Sequence, residues 1–285
     1  MTEYINTKGV VNCTLINYAD GKYSKTQHFN TKTALNYGGF NKVIEYGPED
    51  IDIAFKSEHK DVFSYRRGNG LWLWKPYLIY KTLLTMPTGA LLFYCDSGSF
   101  WIKSAMPIIS ILEKDDIFVS CVPFPEKQFT KKICFDVLGV DYTKGDNCQY
   151  QGTFIGIKKT KTTLEFVKEW LACCSDFRLI APDYENIGID DTYIAHREDQ
   201  SLLSLICQKH NIKGHTDPSQ YGRIPDLYKR YSRLYTAPDI KREYKTMLIL
   251  HRTPNVKFFI CFKQLMLTLL PVYICRWYLN RKSVN

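Results

Sequence analysis

The sequence predicts a single α/β domain: a mixed, mostly parallel central sheet flanked by helices, followed by a basic and hydrophobic C-terminal helical tail. Three observations predict it. The chain has 285 residues, 45% of them hydrophobic and evenly spread, enough for one large core. Its first fifty residues alternate strand, helix and strand patterns, as a largely parallel sheet requires. The apolar run Ala90-Leu-Leu-Phe-Tyr-Cys95 stops at Asp96-Ser-Gly-Ser99, the signature of a buried strand that ends in an exposed turn.

The elements follow in order. Gly9 to Asn17 is a β-branched, apolar strand closed by a polar turn at residues 18–21, and residues 27–40 have helical composition. Asn41 to Tyr46 returns to strand pattern before the Gly47-Pro48 breaker. Pro76 suits the first turn of a helix that runs to about Leu84. After the strand at 90–95, a helix is expected over roughly 100–113 and strands over Asp116–Val122 and Tyr150–Ile157. A helix over Thr162–Cys174 opens on a Thr-Thr-Leu-Glu capping pattern, and another runs from Glu198 to His210 with Leu202, Leu203, Leu205 and Ile206 on its apolar face. Residues 223–252 are basic, Tyr-rich and broken by turns, and predict no regular structure.

The net charge of +9 is unevenly placed. Residues 209–285 hold 15 Lys and Arg against 4 Asp and Glu, whereas the first 208 residues carry a slight negative excess. The last quarter therefore should face something anionic, such as acidic lipid, a diphosphate or nucleic acid. The ten cysteines match no zinc spacing, and the N-terminus shows no signal-peptide pattern, so free thiols in a reducing compartment are expected. The chain has no phosphate loop of the P-loop or dinucleotide type and no Gly-x-Ser-x-Gly elbow, which counts against kinases, GTPases, dehydrogenases and serine hydrolases.

Three stretches could carry chemistry. Asp96 stands at the carboxyl end of a strand, where α/β sheets bind ligands. Ser97, Gly98 and Ser99 let a ligand approach the backbone, although an Asp there would equally well cap a following helix. In His196-Arg-Glu-Asp-Gln-Ser201, Glu198 or Asp199 at a helix start would point into a cleft beside Gln200, as a general base or a sugar-orienting group, or would simply favour the helix dipole. In the 66–75 block, Arg66, Arg67 and Lys75 could neutralise a diphosphate, while Trp72 and Trp74 read as core and wall. Tyr18, after the first strand, is a candidate for stacking on a base. His210, His215 and Asp217 form only a loose group.

Residues 258–279 are nearly long enough to span a bilayer, but Lys263, Pro271 and Arg276 interrupt them, which favours a segment lying in the headgroup region over a spanning helix. A C-terminal helix packed on the domain remains an alternative.

The order Leu-Trp-Leu-Trp-Lys-Pro-Tyr-Leu-Ile (71–79), Leu-Phe-Tyr-Cys-Asp-Ser-Gly (92–98) and His-Arg-Glu-Asp-Gln-Ser (196–201) resembles bacterial glycosyltransferases of capsule, O-antigen and lipopolysaccharide biosynthesis, which have the GT-A, Rossmann-like fold. The resemblance covers about residues 9–217. It implies a catalytic domain over 1–222 and a basic extension over 223–285 with a membrane-associating segment at 256–282. It also implies a nucleotide-diphosphate-sugar donor and a glycan or lipid-linked acceptor. On this reading Asp96, Ser97, Gly98, Tyr18, Arg66, Arg67 and Lys75 face the donor. His196 and Arg197 face the acceptor, and Asp199, Glu198 and Gln200 the reaction centre. Asp96 matches the first position of the family's Asp-x-Asp motif and Gly98 the second, so a divalent metal, Mn²⁺ or Mg²⁺, would need help from His215 or Asp217. The resemblance places the protein in the cytoplasm, at the inner face of the membrane. The competing readings are a non-catalytic module that binds membrane or, through Lys229, Arg230 and Arg233, nucleic acid, and a nucleotidyltransferase. The apolar tail argues against nucleic acid, and a nucleotidyltransferase normally needs at least two clustered carboxylates for its metals.

Overall fold

Side chains alternate between the two faces of a strand, so a strand with apolar residues at every position must be covered on both sides. The computed structural model, which describes residues 1–182, 184, 191–231 and 240–282, has this arrangement. Its strands are β1 (Thr2–Ile5), β2 (Val10–Tyr18), β3 (Phe40–Tyr46), β4 (Leu91–Cys95), β5 (Ser99–Trp101), β6 (Ile117–Pro125), β7 (Cys148–Tyr150), β8 (Phe154–Lys158), β9 (Gly214–His215) and β10 (Leu248–Leu250). The main sheet runs β1-β3-β2-β4-β8-β6-β7, with β9 also on β6. β2 pairs in parallel with β3 and β4, and β6 with β9, while β8 is antiparallel to both β4 and β6. Hence β2, β3, β4, β6 and β9 point one way. The expected mixed, mostly parallel α/β sheet is the one found.

Alternation along β2 and β4 divides the core. Ile16, Tyr18, Leu92 and Tyr94 face one layer, which the helices Trp74–Thr85, Lys161–Ser175 and Glu198–Lys209 cover. Leu15, Phe93 and Cys95 face the other, covered by the helix Met106–Leu112 and by Tyr221, Leu248, Leu250 and Leu267 from the C-terminal part. The core thus crosses residue 222, where a boundary was expected.

Local details refine the sequence reading. The helix Lys161–Ser175 buries Phe166, Val167, Trp170 and Cys174, spaced for one helical face, and its cap is Thr160, whose Oγ1 accepts from the Thr163 amide at 3.1 Å. The helix expected over 100–113 is shorter, because Ser99–Trp101 instead forms a two-stranded ribbon with β10. β10 lies within residues 223–252, for which the sequence predicts no regular structure, and its pairing with β5 orders it. The strand expected over 150–157 is broken at Gln151–Thr153 into β7 and β8. Pro271, which cannot continue a helix, separates the helices Phe258–Leu269 and Val272–Lys282. No helix among the described residues is long and apolar enough to cross a membrane. All ten cysteines are unbridged.

Candidate active site

Strands β2, β4 and β6 deliver their carboxyl ends to a cleft of about 550 Å³, whose lining includes Tyr18, Asp20, Asp96, Gln151, Gln200 and Arg252. The Asp96 turn is fixed from three sides. Its amide donates to Thr153 O at 2.9 Å, Ser99 Oγ donates to its carbonyl at 2.7 Å, and Ser97 Oγ donates to Tyr18 O at 2.6 Å. β5 follows directly and the next helix starts only at Met106, so Asp96 caps no helix. Its side chain is 40% exposed, and Oδ1 accepts from Tyr94 Oη at 2.6 Å.

The wall opposite is an unusual turn. Residues 68 to 72 all have left-handed φ, from 52° at Asn69 and Leu71 to 92° at Gly70. Gly68 and Gly70 adopt this readily; Leu71 and Trp72 do so only because tertiary contacts hold them. Leu71 is fully buried in the core and the Arg67 guanidinium lies 5.5 Å from the Trp72 ring centroid, while beside them Trp74 Nε1 donates to Gly68 O at 2.8 Å and Asn69 Nδ2 donates to Tyr18 Oη. The Tyr18 ring stacks on Trp74 with centroids 3.7 Å apart.

Beneath the cleft, Lys75 joins the two acidic stretches. Its Nζ lies 2.6 Å from Asp199 Oδ2 and 3.9 Å from Asp96 Oδ1, with side chains of Lys75 and Asp199 only 4% and 5% exposed. Burial pulls the ammonium's pKa down, but Asp199 and Asp96 outweigh it, and the net shift is upward. Burial raises the Asp199 carboxyl to about 6, against the pull of Lys75. Gly152 closes over this pair; a Cβ there would stand 3.3 Å from Asp199 Oδ2. Glu198 is buried too, at a φ of 41°, and Arg67 Nε donates to its Oε1 at 2.6 Å. Desolvation raises its pKa and Arg67 offsets part of the rise.

Gln200 does reach the cleft. Its Oε1 accepts from the Gly152 amide at 3.2 Å and its Nε2 donates to Gln149 Oε1 at 2.8 Å; Arg197 Nη1 donates to that same oxygen at 3.2 Å. Gln149 in turn donates to Glu126 Oε1 at 3.1 Å. Glu126 is fully buried among neutral donors, Thr130, Ser204, Gln149 and Gln208, and burial raises its pKa to about 7. The Arg197 guanidinium lies 3.5 Å from the Phe129 ring centroid and lines the cleft, as does Arg66.

Several expectations are therefore corrected. Lys75, expected at a diphosphate, instead has its ammonium buried between the carboxylates of Asp199 and Asp96. Asp199 and Glu198, expected at the reaction centre, are instead buried in ion pairs. Arg67 is taken by Glu198 and leans on Trp72 instead of lining the cleft. His196, expected at the acceptor, is buried, and desolvation lowers its pKa to about 3, so it is a neutral core residue. One face of Tyr18 is already covered by Trp74. His215 lies on β9 with β8 and β6 between it and β4; its Nδ1 is 3.2 Å from Glu243 Oε2 and its ring stacks on Phe118, so it cannot share an ion with Asp96. Asp217 accepts from Tyr228 Oη at 2.7 Å, and His210 meets Glu169 at 2.6 Å. Arg233 and the side chain of Arg230 lie outside the described residues, and Lys229 pairs with Asp226 at 2.7 Å.

Asp20, Gln149, Gln151 and Arg252 were missed. Asp20 follows the predicted first strand, so the rule that picked out Asp96 would have found it, whereas Arg252 follows β10, a strand that forms only through its pairing with β5. The donor set around Asp96 does not fit a divalent cation, which needs several converging oxygens. Here one carboxylate is met by a hydroxyl donor and an ammonium. Among the described residues no three His, Cys, Asp or Glu side chains are grouped to hold a metal.

No family model and no curated protein matches the sequence. Among solved structures, the chain is similar to mouse xyloside xylosyltransferase 1 in its apo form, at 10% identity over 84% of this chain and 96% of that one, with a TM-score of 0.44. It is similar to the galactosyltransferase LgtC in complex with donor and acceptor sugar analogs, at 13% identity over 83% and 86%, with a TM-score of 0.43. For the apo-form glycosyltransferase GlyE of Streptococcus pneumoniae the figures are 11%, 95%, 64% and 0.44. All three are distant likenesses.

Proposed function

We propose that this chain is a glycosyltransferase that moves a sugar from a nucleotide-diphosphate donor to a glycan or lipid-linked acceptor. One observation carries the reading: the three separated stretches that resemble capsule and lipopolysaccharide glycosyltransferases meet at a single point. Lys75 from the first lies 3.9 Å from Asp96 of the second and 2.6 Å from Asp199 of the third. The cleft above them lies at strand carboxyl ends, where α/β sheets hold nucleotides. In this reading Asp96 offers its carboxylate to hydroxyls of the donor, and Gln200 presents its amide where the sugar is transferred. Asp199, Lys75 and Glu198 are positioning residues that hold those two groups in place. Helices Phe258–Leu269 and Val272–Lys282 expose Phe258, Phe259, Phe262, Leu269, Tyr273 and Trp277 within the most basic part of the chain, which suits an anionic surface at the cytoplasmic face of the membrane.

The test is nucleoside-diphosphate release from a panel of nucleotide-diphosphate sugars. At least one donor should be turned over, and Asp96→Ala should slow that turnover by about 100-fold or more, the scale of losing a charged contact made in the transition state. Full activity in the variant would remove Asp96 from the site.

A further inference from the structure

The position that carries a second carboxylate in Asp-x-Asp sites is here filled by a glycine with an arginine pressed against it. A Cβ on Gly98 would stand 3.2 Å from Arg252 Cα and 3.5 Å from Arg252 N. The Gly98 carbonyl accepts from the amides of both His251 and Arg252 at 2.9 Å. Arg252 is held by this pair of bonds at a φ of 54°, a conformation that costs a non-glycine residue free energy. Its guanidinium lies 4.8 Å from the Tyr221 ring centroid and lines the same cleft as Asp96, with Arg66 also in that lining.

Two features thus act together. The turn lacks the second carboxylate that a divalent cation would need, and the backbone packed against Gly98 brings in a permanent positive charge. A guanidinium binds phosphate oxygens in pairs and needs no metal to do so.

We propose that the cleft holds the diphosphate of a nucleoside diphosphate through Arg252, assisted by Arg66, in place of a divalent cation. The inference rests on the donor reading above and adds to it the way in which the donor's charge is neutralised. Asp96, with Tyr94 donating to it and Lys75 beside it, is left to accept from donor hydroxyls.

The experiment is calorimetric titration of the full chain with UDP, GDP, CDP and ADP, in EDTA and separately in excess Mn²⁺. At least one nucleotide should bind in EDTA, with a Kd that Mn²⁺ changes by less than about threefold. Arg252→Ala should weaken that binding by about 10- to 100-fold, the range for a charge-assisted phosphate contact. Arg252→Lys should fall between the two, because it keeps the charge and loses the paired geometry. If Arg252→Ala does not fold, as judged by its melting curve, Arg252→Gln and the wild-type comparison of EDTA with Mn²⁺ decide the matter. Binding that appears only with Mn²⁺ overturns the inference and leaves the donor reading standing. Unchanged affinity in a folded Arg252 variant overturns it as well. Absence of nucleotide binding in both conditions removes the inference and the donor reading together.

Discussion

The two acidic stretches, the turn at Asp96 and the helix start at Glu198-Asp199, look alike in sequence and have opposite fates in the fold. Asp96 is 40% exposed and aimed at the cleft, whereas Asp199 is 5% exposed and clamped to Lys75 at 2.6 Å. Glu198 is clamped in the same way by Arg67. The difference lies in the block between residues 66 and 75, which supplies a cation to each buried acid. A carboxylate that is solvated can serve a ligand, while one that is buried must be neutralised by a partner and becomes part of the frame.

The largest expected effect concerns the buried member. Asp199→Ala leaves the Lys75 ammonium buried with only the distant Asp96 as a partner, and should cost about 3–5 kcal/mol in urea denaturation. Adding Lys75→Met should recover most of this. A loss below about 1 kcal/mol would mean that the pair is solvated and the contrast with Asp96 is false.

Next comes Glu126, which supports Gln200 through Gln149. Its folded pKa of about 7 lies above its ordinary value of 4.5, chiefly because it is buried, so folding favours the protonated form. The resulting contribution is complete below pH 4.5 and is lost as the pH rises through about 7. Relative to Glu126→Gln, which cannot ionise, the wild type should therefore lose on the order of 3 kcal/mol between pH 4.5 and pH 8. Parallel melting curves for the two proteins across that range would contradict the burial of an ionisable carboxyl there.

The smallest effect on stability belongs to Asp96. Asp96→Asn keeps an acceptor for Tyr94 Oη and stays half in solvent, so it should move stability by no more than about 1 kcal/mol while it slows donor turnover. A shift as large as that of Asp199→Ala would make the turn a structural one.

Much of this was legible in the chain itself. The apolar strand before Asp96, the helices that became Trp74–Thr85, Lys161–Ser175 and Glu198–Lys209, and the break at Pro271 rest on periodicity, capping and proline geometry. These are local properties, written within a dozen neighbouring residues. The three stretches that carry the proposed function could also be picked out by type. Their roles could not, because exposure is decided by what packs against a residue from elsewhere in the chain. That Lys75 is used up by Asp199, that His196 is buried and His215 stands beyond β6, and that Arg252 fills the place beside Gly98 all depend on sheet order and long-range contact. Sequence determined which groups were available and where strands and helices would form. Tertiary structure alone decided which charges meet solvent and which meet each other, since the cost of burying a charge is set by its neighbours in space and not by those along the chain.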